Sequence, residues 1–523
     1  MSAADDWTRR GVIGGGAALL AAGTARAIPP LPSVIVRCAA GAFAGAPLGP
    51  GVNGVTAFKG IRYGRAERFR APVPEHRAGE VVSAFAFGPV SPQSSRQYQP
   101  QSEDCLFLNI WSAHANRPAR KPVMVYIHGG AYANGSSTDP LNDGRHLAAR
   151  GDVVVVTVNH RLNAFGYLYL ARFDPRFPDS GNAGQLDLVL ALKWVRDNIA
   201  AFGGDPARVT VFGQSGGGAK IATMMAMPAA KGLFHRAATM SGQQVTASGP
   251  LNATARARAY LARLKVGERD LSPLLTMPQE RLVEALNAVD PILGGGVYFG
   301  PVLDMRSLDR HPFWPDAHPQ SLRVPMILGN TRQETGAFIA PDLPKLKGLT
   351  WDNLAERMAP ELRVDILPEW VVAQYRAREP GWSSTQVFYA ATTAGRSWPG
   401  QVIEAEARAR AGTPAYVYQL DFASRTDPRR GAFHTMDIPL VFGTLGAPGS
   451  QTGTAADAQA VSQAMQDRFV AFAETGVPGR GWPQYDLATR ATMIFDTRSR
   501  VERDPRGWER EIFARVPYIQ PGT

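Results

Sequence analysis

Val209-Thr210-Val211-Phe212-Gly213-Gln214-Ser215-Gly216-Gly217 is a β-branched apolar run that breaks into a serine set among glycines. The apolar run reads as a buried strand, and the glycine-rich segment after it reads as a sharp strand-to-helix turn with Ser215 at its tip. A residue on such a tip holds a strained backbone, and side chains two positions to either side would collide. Gly213 and Gly217 remove that collision. A hydrolase places its nucleophile at this point. In a chain with 53 glycines, however, a Gly-x-Ser-x-Gly string also arises by chance, so the reading depends on its surroundings.

The surroundings alternate between strand-like and helix-like segments. Phe107–Trp111, Val123–Ile127 and Val153–Val158 are short, β-branched or aromatic and nearly continuous in apolar character, as strands buried on both faces are. From Asp187 to Ala201 the apolar residues Leu188, Ala191, Leu192, Val195 and Ile199 recur at helical spacing, and Gly203-Gly204-Asp205-Pro206 ends the pattern. This β-α-β order predicts an α/β fold with a doubly wound, mostly parallel central sheet, whose functional groups gather at the carboxyl ends of the strands. Further on, residues 250–290 read as amphipathic helix, Arg310–Gln320 as a loop and Val324–Leu328 as a strand. Residues 350–412 read as mostly helical, Tyr416–Leu420 as the last major strand and Ala458–Glu474 as a C-terminal helix. With no repeat and no linker, residues 28–523 are expected to form one domain with helical insertions.

Composition narrows the class. Hydrophobic residues make up 45% and charged residues 19% of 523, which fits a packed enzyme and argues against long disorder. The formal charge of +11 comes from arginines scattered singly or in pairs, with few lysines. Without a basic block or interleaved aromatics, no nucleic-acid partner is expected. Thr8-Arg9-Arg10-Gly11-Val12-Ile13, a Gly/Ala/Leu stretch and Ala25-Arg26-Ala27 resemble a twin-arginine export signal over residues 1–27. The expectation is therefore an exported protein, periplasmic or secreted; an uncleaved basic tail is the alternative. No apolar run is long enough to predict a membrane span. Cys38 and Cys105 form neither a CxxC nor a Cys/His grouping, so no zinc site and two free thiols are expected. A monomer without metal or organic cofactor is expected.

Serine is a poor nucleophile until a histidine takes its proton and an acid orients that histidine. In the order serine, acid, histidine the base must lie well downstream, and His434 is the only histidine after His318. Glu334 stands just beyond the strand that ends at Leu328, with Asp304, Asp421 and Asp437 as rivals on spacing. The oxyanion needs backbone donors, and His128-Gly129-Gly130-Ala131 comes after a buried strand as such a loop should. Gly130, Ala131 and Gly216 are the expected donors.

Further strings now carry a family resemblance: Glu103-Asp104-Cys105-Leu106-Phe107-Leu108-Asn109-Ile110-Trp111, His128-Gly129-Gly130, Asn159-His160-Arg161-Leu162 and Asn198–Pro206 running into Ser215. Together with Phe299-Gly300-Pro301-Val302-Leu303-Asp304 and the Glu334 and His434 segments, they make the chain similar, from about residue 34 to 515, to type-B carboxylesterases of the α/β-hydrolase fold. That group includes para-nitrobenzyl esterases and cholinesterases. The resemblance implies Ser215 as nucleophile, Glu334 as acid and His434 as base. It also implies Ser241 as a serine beside the triad and an Arg161–Asp187 ion pair.

The chain departs from the family in several places. Ala131 replaces a third glycine, and Gln214 replaces the usual glutamate before the serine. The segment Ser95–Gln101 lacks the tryptophan that binds choline head groups, so a choline ester is not expected. Ile61–Pro74 is shorter than the family's proline-rich loop, and Gly294-Gly295-Gly296-Val297 suggests a roomier acyl pocket. Cys105 matches a family disulfide position whereas Cys38 does not match its partner, so that bridge is expected to be absent. The expected activity is hydrolysis of a small neutral carboxylic ester through an acyl-enzyme, falling in acid as His434 becomes protonated. An amidase, carbamate hydrolase or lipase on the same scaffold stays open, as does an inactive binding protein.

Overall fold

In the computed structural model, which describes residues 33–77, 79–520 and 522, the run before Ser215 is a central strand. The strands in chain order are β1 (Val34–Cys38), β2 (Gly41–Pro47), β3 (Thr56–Arg62), β4 (Gly64–Arg65), β5 (Val73–Pro74), β6 (Val81–Ser83), β7 (Phe107–Ser112), β8 (Lys121–Ile127), β9 (Val154–Val158), β10 (Gly204–Gln214), β11 (Arg236–Met240), β12 (Met326–Thr331), β13 (Ala415–Leu420), β14 (Ala491–Phe495) and β15 (Arg500–Arg503). The main sheet runs β1-β2-β3-β7-β9-β8-β10-β11-β12-β13-β14-β15, with β6 added beside β2; β4 and β5 pair separately. From β9 to β14 every pairing is parallel, while β1, β2, β3 and β7 at one end and β15 at the other are antiparallel. This is the expected doubly wound α/β sheet. The twin-arginine segment at residues 1–27 lies outside the described residues.

Alternation along each strand splits the core into two layers. On β8, Val123, Val125 and Ile127 pack with Leu188, Val195 and Ile221 on one face. Met124 and Tyr126 face the other way, toward Phe442, Phe469 and Phe472. Both sides are covered by helices, which explains the continuous apolar character of β7 to β10. The helix expected at Asp187–Ala201 spans Ala183–Asn198 and tightens into a 3-10 turn at Ile199–Phe202. It starts earlier because Gly184 lets it close on the chain at Arg161: a Cβ on Gly184 would lie 2.6 Å from the Arg161 carbonyl oxygen. The Arg161 guanidinium donates to both Asp187 oxygens at 2.6 and 2.8 Å, and both side chains are buried.

The reading of Tyr416–Leu420 as the last major strand is corrected, because β14 and β15 extend the sheet beyond it. β14 is a five-residue run, buried throughout, that comes after a Gly/Pro-rich stretch and carries little pattern of its own. β15 is the charged edge Arg500-Val501-Glu502-Arg503, a composition that protects an exposed sheet edge from further pairing. Cys38 and Cys105 are both free thiols. No helix among the described residues is long and apolar enough to cross a membrane.

Candidate active site

Parallel strands deliver their carboxyl ends to one edge of the sheet, and the His128–Ala131 loop, Ser215 and Glu334 come after the ends of β8, β10 and β12 there; no hydrogen bond joins Ser215 to His434. Ser215 comes directly after β10 with φ 54° and ψ −125°, a backbone state that costs a non-glycine residue of order 1–3 kcal/mol. It persists because both neighbours are fixed. The Ser215 N–H donates to the Met240 carbonyl at the end of β11 at 2.7 Å, and the Ser215 carbonyl accepts from Ala219 to start the helix Gly216–Met224. The flanking glycines are required sterically. A Cβ on Gly217 would stand 1.9 Å from the Ile127 oxygen, and one on Gly213 would stand 2.7 Å from the Gly217 carbonyl carbon.

Glu334 and His434 are in contact. His434 Nδ1 hydrogen-bonds Glu334 Oε2, while Glu334 Oε1 accepts from the Thr331 N–H at 2.7 Å and from Asn330 Nδ2 at 2.9 Å. Burial pushes the Glu334 pKa up. The His434 charge and hydrogen bond, the Ser241 hydroxyl and the Thr331 N–H outweigh it, and the carboxyl ends below its ordinary range. The two loops are stitched together: the Gln333 N–H donates to the Ala432 carbonyl at 2.9 Å, and the Ala432 N–H donates to Gln333 Oε1 at 2.8 Å. His434 Nε2 is buried without a hydrogen-bond partner among the described residues.

The rival acids are engaged elsewhere. Asp304 caps its own turn through the N–H groups of Arg306, Ser307 and Leu308, Asp421 accepts from Gln419, and Asp437 accepts from the Tyr418 hydroxyl at 2.7 Å.

The third group is the loop after β8. A peptide's N–H points opposite to its C=O, so gripping the carbonyl aims the donor. The Gly129 carbonyl accepts from His128 Nδ1 at 2.9 Å, which aims the Gly130 N–H. The Gly130 carbonyl accepts from the N–H groups of Ala133 and Asn134 at 3.2 and 3.0 Å, which aims that of Ala131. The N–H groups of Gly130, Ala131 and Gly216 donate to no acceptor among the described residues. The loop abuts the serine turn: a Cβ on Gly216 would lie 2.1 Å from the Ala131 oxygen, and one on Gly129 would lie 3.3 Å from Ser215 Cβ.

Around this core the structure adds groups that pattern reading missed. Phe338, 47% exposed, has its ring 5.0 Å from that of His434, and the Arg396 guanidinium lies 4.4 Å over Phe338 with no ion-pair partner among the described residues. Tyr132 anchors the oxyanion loop through Gln244 Oε1 at 2.8 Å, and Lys220, wholly buried, donates to the loop from below. Lys220 left a signal, a lone cation within Ala219-Lys220-Ile221-Ala222. Stacking partners such as Phe338 leave none. Gln214, the residue directly before Ser215, is buried with its Nε2 unpaired. Gly294–Gly296 form an exposed turn whose added Cβ atoms would meet little. Among the described residues, no group of three His, Cys, Asp or Glu side chains is placed to hold a metal.

Residues 32–511 match the model of the carboxylesterase family. The chain is 35% identical over 488 residues to the para-nitrobenzyl esterase of Bacillus subtilis (strain 168), covering 88% of this chain and 95% of that one. It is 30% identical to the phenmedipham hydrolase of Pseudarthrobacter oxydans, covering 86% and 94%. Among solved structures, the carboxylesterase EST55 of Geobacillus stearothermophilus superposes with a TM-score of 0.79 at 35% identity, over 92% of this chain and 99% of that one.

Proposed function

Because the chain belongs to the carboxylesterase family, an ester-hydrolysing group on an α/β-hydrolase fold, we propose that it cleaves neutral carboxylic esters through an acyl-enzyme on Ser215. The observation that carries this reading is the buried, unpartnered His434 Nε2, whose ring is held at Nδ1 by Glu334. A ring that donates from Nδ1 keeps its lone pair on Nε2, the form that accepts a serine proton. His434 takes that proton as Ser215 Oγ attacks the carbonyl carbon. The oxyanion is held by the N–H groups of Gly130, Ala131 and Gly216, and the alcohol leaves with the proton from His434. Water then enters, gives a proton to the same histidine and attacks the acyl carbon; the bond to Ser215 Oγ breaks, His434 returns the proton to Oγ and the acid leaves.

Arg396 beside Phe338 puts positive charge near His434, which supports neutral over cationic leaving groups. Amide, carbamate and lipid ester substrates share the same triad, and a relative named phenmedipham hydrolase lies within the same range of identity. A panel of p-nitrophenyl, alkyl and triglyceride esters beside matched amides separates them. Rates on short neutral esters are expected to exceed the others, and faster amide turnover contradicts the reading. The protein is further proposed to be exported, as its twin-arginine-like start suggests, and to act as a monomer. A cytoplasmic location unchanged by R9K/R10K, or a dimer by light scattering, contradicts this.

A further inference from the structure

Lys220 lies on the helix that Ser215 begins, and its side chain is fully buried. Its Nζ donates to the Ala131 carbonyl at 2.7 Å and to the His128 carbonyl at 3.3 Å, and stands 5.4 Å from the centre of the Tyr132 ring. No carboxylate among the described residues pairs with it, and burial alone pushes its pKa down to about 7. A buried charge without a counter-ion is costly, and a fold that only needed packing here would place an apolar residue. The position of the ammonium suggests what compensates it. Two peptides of the loop are gripped at their carbonyls by His128 and by the Ala133 and Asn134 N–H groups; the next, at Ala131, is gripped by Lys220. Ala131 is also the residue against which Gly216 of the serine turn packs.

We propose that Lys220 is a positioning residue that clamps the Gly129–Ala131 loop to the Ser215 turn and, as an ammonium, lends its charge to the oxyanion formed there. This rests on the reading of Ser215 as the acylated nucleophile. Before attack the ammonium faces two carbonyl dipoles and the Tyr132 ring. On attack, a negative oxygen forms on the loop it supports, so the interaction strengthens on the way to the transition state and acts on kcat rather than KM.

The charge state of Lys220 sets the sign of the pH effect. Below about pH 7 Lys220 is a cation; above it, a neutral amine still donates to a carbonyl but the charge is gone. The groups packed around it stay neutral across this range. His128 is held at about 3 by burial and by Lys220 itself, His160 is also held well below its usual value by burial, and the Tyr132 phenol is held well above its own. The Gln185 amide donates to the Lys220 carbonyl. Glu404, beyond Tyr132 and Gln244, titrates at about 8, and the Glu404→Gln variant separates its contribution.

The test is steady-state hydrolysis of a p-nitrophenyl ester from pH 6 to 10 by wild type, Lys220→Met, Lys220→Gln and Glu404→Gln, with fluorophosphonate labelling of each. Lys220→Met is expected to lower kcat about 100-fold, the scale of losing one oxyanion donor, with KM within about threefold. Wild type and Glu404→Gln are expected to lose kcat above neutrality while still folded. Lys220→Gln keeps a donor but no charge; it is expected to retain part of kcat and to lack that alkaline fall. If Lys220→Met does not fold, Lys220→Gln and the wild-type profile decide. Wild-type kcat in either Lys220 variant, or a flat wild-type profile to pH 9.5, overturns the proposal with labelling intact. Absent labelling of wild type overturns the nucleophile reading and this proposal with it.

Discussion

At the residue scale, Ser215 holds a left-handed backbone and His434 holds a buried, unpartnered nitrogen. Neither state is favourable alone, and both suit a serine that gives up its proton. Glu334 makes this possible by fixing the ring through Nδ1 while the Thr331 and Asn330 donors fix Glu334. Glu334→Gln keeps the shape but can present its amide N–H to Nδ1, which favours the wrong tautomer. Its kcat is expected to fall about 10²–10⁴-fold with KM little changed, measured on a p-nitrophenyl ester; a loss under tenfold contradicts the assignment. Ser215 was legible as a glycine-flanked serine after a strand, and His434 as the only histidine far enough downstream, whereas Glu334 was separated from Asp304, Asp421 and Asp437 only by the family resemblance. Phe338 and Arg396 were not legible, because stacking between loops leaves no pattern along the chain.

At the element scale, the strands that aim the site were legible because burial on both faces makes β7 to β10 nearly continuous in apolar residues. Boundaries were less so. The helix at Ala183–Asn198 begins before its first periodic apolar residue, because a glycine contact with Arg161 rather than an apolar stripe decides its start. β14 and β15 were missed: Ala491–Phe495 comes after a Gly/Pro-rich, charged stretch and carries little pattern of its own, and Arg500–Arg503 is too charged to read as a strand. The serine turn is the most tightly specified junction: a methyl group on Gly217 would meet the Ile127 oxygen at 1.9 Å, an atom held in the β8 ladder. Gly217→Ala must therefore displace backbone. Its melting temperature and its rate of fluorophosphonate labelling are expected to fall together, and an unchanged variant contradicts the packing described.

At the scale of the whole molecule, the sheet separates two apolar layers, and buried ionisable groups cross between its parts. Glu404 accepts the Gln244 N–H at 2.7 Å through one oxygen and leaves the other buried without a partner. Burial raises its pKa to about 8. Its folded state binds the proton more tightly than the unfolded chain does, where a glutamate titrates near about 4.3. The stability this gives is complete below the unfolded value and lost as pH rises through about 8. Wild type is therefore expected to lose melting temperature relative to Glu404→Gln between pH 5 and 8, and curves that run parallel across that range contradict this. The net charge of +11 was legible in composition but belongs to dispersed arginines, many of them paired with carboxylates at the surface. The proposed hydrolysis depends on one covalent event at Ser215, and intact-mass spectrometry after brief exposure to a fluorophosphonate ester measures it directly. The prediction is a single adduct mapped to Ser215 in wild type and none in Ser215→Ala; a folded wild type without adduct, or an adduct on another residue, would contradict it.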